Sequence, residues 1–488
     1  MSTYQHRQRQ IPSLSPSRRS LLTSGAAGLC LSPLTDRICR AASATDNGDA
    51  TNSMKDRRLP DCASPAKRMV LLFQHGGPSQ IDLFDPKPKL REYAGKPIPV
   101  EVEAFFDRNN SGRCQPSPFA FARHGQCGME FSELLPQLAK CADDLCMIRS
   151  MHTVVSDHEG ALRHLQTGKP RIGRPTLGAW LTWALGTQNP KLPPYVVLSD
   201  PTRDQVDGIR NWSSGFLPAV YQGTPLRSDG PALFNLEPPD GLTAEMQRQQ
   251  LSLLEFLNRG HQKQFAHLSE LDARIANNTL AGSIREEITS AMDLSQETEA
   301  THALYGIGNP ANGTYSRRCL MARRLLEFGV PFVAVFNDSI MGDPWDTHSQ
   351  HNERIRTVAN NVDRPSAALI QDLKRVGLLD DTIVLWIGEF GRLPVVEGKD
   401  GRDHNRHAFT ALVAGAGFRR GYTHGVTDEF GYKVAEKPVA VGQLHATLLA
   451  QFGLDHWQLT YQHQGRNESL TDADITGVEP VPELIDNA

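Results

Sequence analysis

The sequence predicts an α/β domain whose parallel strands are joined by crossover helices, and three observations predict it. A continuous apolar run, Thr382-Ile383-Val384-Leu385-Trp386-Ile387, follows an amphipathic helix over residues 364–376. A second run over residues 330–336 follows a helix over residues 317–328, and a third, residues 69–73, opens the globular part of the chain. Short runs that are apolar at every position fit strands buried on both faces, and helix-then-strand repetition is how parallel neighbours are connected. The carboxyl ends of such strands are where open α/β sheets place their chemistry.

In chain order, Ser17-Arg18-Arg19-Ser20-Leu21-Leu22 precedes a mildly apolar segment over residues 21–34, and Ala42-Ser43-Ala44 supplies small residues for cleavage. Residues 1–44 therefore resemble a twin-arginine signal peptide, which directs a protein out of the cytoplasm after folding, to the periplasm or beyond. No later segment reaches roughly 18 uncharged apolar residues, so no membrane span is expected. Residues 45–67 are polar and suit a linker to a single domain over residues 68–470. The strand at 69–73 ends in Gln74-His75-Gly76-Gly77-Pro78-Ser79, a turn that brings backbone close to whatever sits there. Residues 86–130, rich in Pro, Gly and charge, suggest an excursion over the surface. Residues 132–141 and 160–166 have helical character, and residues 194–198 read as a strand. Apolar residues at three- and four-residue steps over about 243–305 predict a helical insertion with several turns facing the core. The remainder carries a helix over residues 444–454, turns past Tyr461 and a tail over residues 471–488.

With 488 residues, 39% of them hydrophobic, the chain can bury a large core. Its 51 basic and 55 acidic side chains give a net charge of -4, which argues against nucleic acid as a partner. Cys30 and Cys39 fall in the leader, and among the rest Cys114 with Cys127 is the local pair expected for a disulfide in an oxidising compartment, although spacing alone does not fix connectivity.

The chemistry gathers at the predicted strand ends. Glu389 follows the run at 382–387, and Asp346 and His348, in Trp345-Asp346-Thr347-His348, follow the run at 330–336. Asp403 and His404 follow a glycine-rich turn twelve residues past Gly391-Arg392. Three carboxylates and two imidazoles suffice for a metal site with an open position. Mixed nitrogen and oxygen ligation favours Zn²⁺, Mn²⁺ or Fe²⁺ over Ca²⁺ or Mg²⁺. Arg392 and Arg402 lie beside these candidates, either to hold an anionic group in bidentate fashion or to pair with Glu389 or Asp403. His351, His407 and His424 are set aside as solvated.

Seven ordered segments then carry a resemblance: the twin-arginine leader, HGGPSQIDLFDPKP at 75–88, GFLPAVYQGTP at 215–225, WDTH at 345–348, GEFGRLP at 388–394, GRDHNRHAF at 401–409 and LTYQHQGR at 459–466. Together they resemble the exported sulfatase-like family known as domain of unknown function fifteen-oh-one, within the alkaline-phosphatase superfamily. The resemblance implies a doubly wound, mostly parallel sheet with helices on both faces, and a one- or two-metal centre acting on anionic sulfate or phosphate esters, sulfated polysaccharides among them. It also implies a nucleophile ten residues before Gly168, where this chain has His158, with Ser156 the nearest hydroxyl. Where the superfamily has an acidic pair after the first strand, this chain has Gln74 and His75, and His75 is a further candidate ligand. Cys114-Gln115-Pro116-Ser117 resembles the start of the sulfatase cysteine motif, but Pro118 stands where that motif requires Arg. A metal-dependent ester hydrolase and a non-catalytic binding protein that kept the fold are both compatible with this pattern.

Overall fold

The computed structural model describes residues 64–103, 110–200, 205–230, 243–265, 287–337 and 344–486, together with residues 232, 241, 271 and 275. The expected leader at 1–44 and residues 45–63 of the expected linker lie outside the described residues.

Nine strands form one mixed sheet among the described residues. They are β1 (Arg68–Phe73), β2 (Leu145–His152), β3 (Tyr195–Leu198), β4 (Thr224–Leu226), β5 (Phe332–Phe336), β6 (Thr382–Ile387), β7 (Phe409–Ala414), β8 (Tyr422–His424) and β9 (Val439–Ala440). The spatial order is β8-β2-β7-β6-β1-β5-β3-β4, with β9 also pairing β2. β1 runs parallel to both β5 and β6, Met69 lying opposite Phe332 and Ile383. β7 runs antiparallel to both of its neighbours, pairing Leu412 with Trp386 and with Met147. Because it runs backwards, its amino end lies at the same rim as the carboxyl ends of β1, β5 and β6.

Helices cover both faces. They are α1 (His158–Thr167), α2 (Leu177–Leu185), α4 (Tyr315–Glu327), α5 (His351–Arg375) and α6 (Val441–Gln451), while α3 (Ala244–Gln264) belongs to the insertion between β4 and β5. Alternation along β1 divides the core: Val70 and Leu72 pack with α4 and α5, whereas Met69, Leu71 and Phe73 pack with α1, α2 and α6. This is the doubly wound α/β arrangement that the sequence predicts.

Several expectations need correction. The helix expected over 364–376 extends through the whole of α5 with Pro365 inside it, because Ile355, Val358, Ala359 and Val362 continue the buried stripe upstream of the proline. In place of the helix expected over 132–141 there is a 3-10 helix at Leu138–Asp144, since Pro136 interrupts the earlier turns. The insertion faces the core in its later part, where Ile288, Ala291, Met292, Leu294 and Tyr305 are buried, but the apolar residues of its helix α3 stay exposed, Leu253 by 59% and Phe256 by 74%. Its supports are local: Thr243 accepts the Met246 N–H at 3.2 Å, and Glu255 pairs with Arg259 at 2.5 Å. The expected tail belongs to the fold as far as Ile485, for Leu484 is fully buried and Ile485 bridges Phe418. Cys114 and Cys127 are free, not bonded: Cys114 is buried in a strand paired with Val395, and Cys127 sits exposed in a turn fixed by Asp143.

Candidate metal centre

Five segments meet at the rim. After β1, the chain turns at Gly76, whose φ is +105°. A Cβ there would lie 2.6 Å from the backbone nitrogens of both Trp345 and Asp346, so only glycine lets the two segments touch. After β2, Asp157 caps α1 by accepting the Gly160 N–H at 2.7 Å, which puts His158 in the first helical position. After β5, Trp345 packs edge-on against Trp386 and donates its ring N–H to Gln74 Oε1 at 3.2 Å, fixing the segment that carries Asp346 and His348. Glu389 follows β6, fully buried, and accepts the Gly76 N–H at 2.9 Å. A two-residue strand at His404–Asn405 pairs with Gly391–Arg392 and brings His404 to the rim from the β7 side.

These segments converge on Asp346 Oδ1. Nε2 of His158 lies 3.3 Å from it, Nε2 of His348 3.0 Å and Nε2 of His404 3.3 Å. The Nε2 atoms of His348 and His404 are 3.1 Å apart. His158 Nδ1 contacts Glu389 Oε1 at 2.6 Å, and His75 Nε2 approaches the same oxygen at 3.8 Å. Asp403 lies next to His404 and accepts its backbone N–H at 2.7 Å. Ser156 enters through its carbonyl oxygen, 2.6 Å from His404 Nδ1. Three overlapping groups have ligating atoms close enough for one cation: His75, His158 and Glu389; His158, Asp346 and His404; and His348, Asp403 and His404.

Without a cation, the cluster is electrostatically uneven. Burial raises the cost of charge on Asp346, but Arg392 and the three histidines hold its carboxyl well below the usual range. Burial likewise opposes charge on Glu389, yet the His158 hydrogen bond and the charges on His75 and His158 take it down to about 2. His158 loses by burial and gains more from Asp346 and Glu389, ending at about 9. His404, buried with Arg392 and His158 nearby, falls to about 3 despite Asp346.

The arginines turn inward. Arg392 is fully buried and donates to Asp346 Oδ1 at 2.5 Å, to Gly77 O at 3.2 Å and to Arg402 O at 3.0 Å. Arg402, equally buried, pairs with Asp82 Oδ2 at 2.8 Å and donates to Leu393 O at 3.1 Å. Their partners are thus Asp346 and Asp82, rather than Glu389, Asp403 or an open anion site. His351 and His424, set aside as solvated, are both buried, and His351 Nε2 lies 2.9 Å from Asp82. One contributor has no sequence signal beyond a lone acid in an apolar stretch: Glu397, 2.5 Å from His348 Nδ1.

No helix among the described residues is long and apolar enough to cross a membrane. No curated protein matches the chain. Among solved structures, a phosphonate monoester hydrolase from Silicibacter pomeroyi is 12% identical, with 85% of this chain and 77% of that one covered and a TM-score of 0.33. A sulfatase from Pseudoalteromonas sp. is also 12% identical, over 80% of this chain and 68% of that one, with a TM-score of 0.32. A protein in the alkaline phosphatase superfamily from Vibrio parahaemolyticus is 13% identical, over 81% and 69% of the two chains, with a TM-score of 0.33. Residues 66–485 match the family model described as "Protein of unknown function (DUF1501)", and the chain belongs to that family.

Proposed function

We propose that this chain is an exported, metal-dependent hydrolase of sulfate or phosphate esters, with sulfated polysaccharide as one substrate class. The observation that carries the reading is the convergence of three imidazole Nε2 atoms on one carboxylate oxygen, all within 3.3 Å of it. That donor set, nitrogen-rich with a single hard oxygen, fits Zn²⁺ or Mn²⁺. His348, Asp346, His404 and His158 are the groups placed to hold such a cation, with Glu389, Asp403 and His75 around them. A bound divalent cation supplies Lewis-acid polarisation of the ester oxygens.

The chain's own residues define the rest. Arg392 fixes the direction of the Asp346 carboxylate, and Asp403 fixes the backbone that carries His404. Ser156 reaches the cluster through its carbonyl oxygen, while His158 stands at the start of α1. Export follows from the twin-arginine-like leader.

One observation favours a second reading, a binding protein without turnover. His158 occupies the expected nucleophile position with both ring nitrogens already facing carboxylates, Glu389 and Asp346. Metal analysis of the purified mature protein, with aryl sulfate and aryl phosphate assays, decides between the two. Stoichiometric metal with hydrolysis, both lost in His348→Ala, is the expected outcome; a folded, metal-free protein without turnover sinks the hydrolase.

A further inference from the structure

We infer that His158, His348, His404 and Asp346 form a single four-ligand cation site, and that Glu389 and Glu397 stand behind it as positioning residues that orient two of its rings. The inference rests on the metal reading above and goes further by separating ligands from their supports.

Each ring has its Nδ1 engaged. His404 Nδ1 lies 2.6 Å from the Ser156 carbonyl oxygen, His158 Nδ1 2.6 Å from Glu389 Oε1, and His348 Nδ1 2.5 Å from Glu397 Oε2. A carbonyl oxygen only accepts, so His404 carries its hydrogen on Nδ1, and ionised carboxylates impose the same choice on the other two rings. In neutral imidazoles this leaves three Nε2 lone pairs aimed at a carboxylate oxygen 3.0 to 3.3 Å away. A cation among these atoms takes the place of the protons that otherwise lie between the rings and the carboxylate oxygen. The spacing from Asp346 Oδ1 to the three rings, and between His348 and His404, also fits at 3.0 to 3.3 Å: ligand atoms around a tetrahedral zinc, bonded at about 2.05 Å, lie about 3.3 Å apart. A ligating histidine that donates its second N–H to a carboxylate or carbonyl is the usual way such rings are held.

The same geometry sets the neighbours apart. Glu389 Oε1 is taken up by Nδ1 of His158 and the Gly76 N–H. Asp403 spends Oδ1 on the His404 backbone. His158 thereby becomes a ligand at the helix start where the resemblance places a nucleophile.

The test uses zinc alone, titrated into the chelator-stripped full-length mature protein, with X-ray absorption at the zinc edge to count imidazoles. One zinc per chain with three imidazoles is expected, falling to two imidazoles in His158→Ala. Glu397→Gln is expected to weaken zinc binding roughly 10–100-fold with an unchanged far-ultraviolet spectrum. Two zincs per chain, fewer than three imidazoles, or unaltered affinity in Glu397→Gln overturns the assignment. If either variant fails to fold, the imidazole count and stoichiometry of the unsubstituted protein still decide. One zinc in this ligand set without ester turnover leaves the assignment standing and removes the hydrolase; turnover with zinc held by other groups does the reverse.

Discussion

Asp82 shows how much at this rim depends on single side chains. It is fully buried and binds Arg402 Nε at 2.8 Å, His351 Nε2 at 2.9 Å and the Ser79 hydroxyl at 2.5 Å. Burial works against its charge, but Arg402 and His351 hold its carboxyl well below the ordinary range. Through His351, which contacts the Thr347 hydroxyl at 2.6 Å, and through Arg402, it ties together the segments on either side of the centre. Asp82→Asn keeps the shape and leaves a buried guanidinium without a counter-charge, so a loss of about 3–5 kcal/mol is expected in urea unfolding. A loss below about 1 kcal/mol would show that the network is not holding the fold. The sequence made Asp346 and His348 legible because an acid and an imidazole follow an apolar run, and His404 because it follows a glycine-rich turn beside Asp403. It could not say which way Arg392 and Arg402 point, since adjacency along the chain carries no direction in space, and nothing local linked Glu397 to His348.

The packing of α1 against α6 carries a pH dependence. His164 of α1 and His445 of α6 are each driven down to about 4, by burial first, then by Lys169 and His152 for the former and by His164 for the latter. His445 Nε2 meets the Leu165 carbonyl at 2.8 Å, a contact that holds the two helices together. Both folded values lie below the unfolded value of about 6.5, so the folded state binds fewer protons. Stability is then complete above about pH 6.5 and declines as pH falls towards 4, by on the order of 3 kcal/mol per residue at most. Thermal melts across that window should show a falling midpoint, with a shallower slope in His445→Gln; a flat profile would count against the account. Elements whose apolar pattern is continuous, such as β1, β5 and β6, were legible. β2 was not, because Leu145–His152 mixes Arg149 and Ser150 into its run and lacks flanking turn signals. The full length of α5 is not legible because a proline usually marks a boundary, and here the buried stripe overrides it.

At the scale of the molecule, the domain is closed by its last residues. Leu484 has no exposed surface and joins the core beneath α6, and the Arg419 N–H donates to its carbonyl at 2.8 Å. Leu484→Ala is expected to cost about 2–5 kcal/mol in chemical denaturation, which a freely hanging tail would not. An effect near zero would return these residues to that description. The reversed direction of β7 was not legible, because strand orientation is decided by contacts between distant parts of the chain. It nevertheless explains how His404, which precedes its strand, reaches the same rim as residues that follow theirs. The sheet also has a temporal consequence. Its middle strand, β1, is the first to be made, yet the partners opposite Met69 are Phe332 and Ile383, translated long afterwards. A nascent chain on the ribosome must therefore carry Met69–Phe73 as an unpaired apolar strand through most of its synthesis, and any cation can enter its full set of ligands only once Asn405 has cleared the exit tunnel.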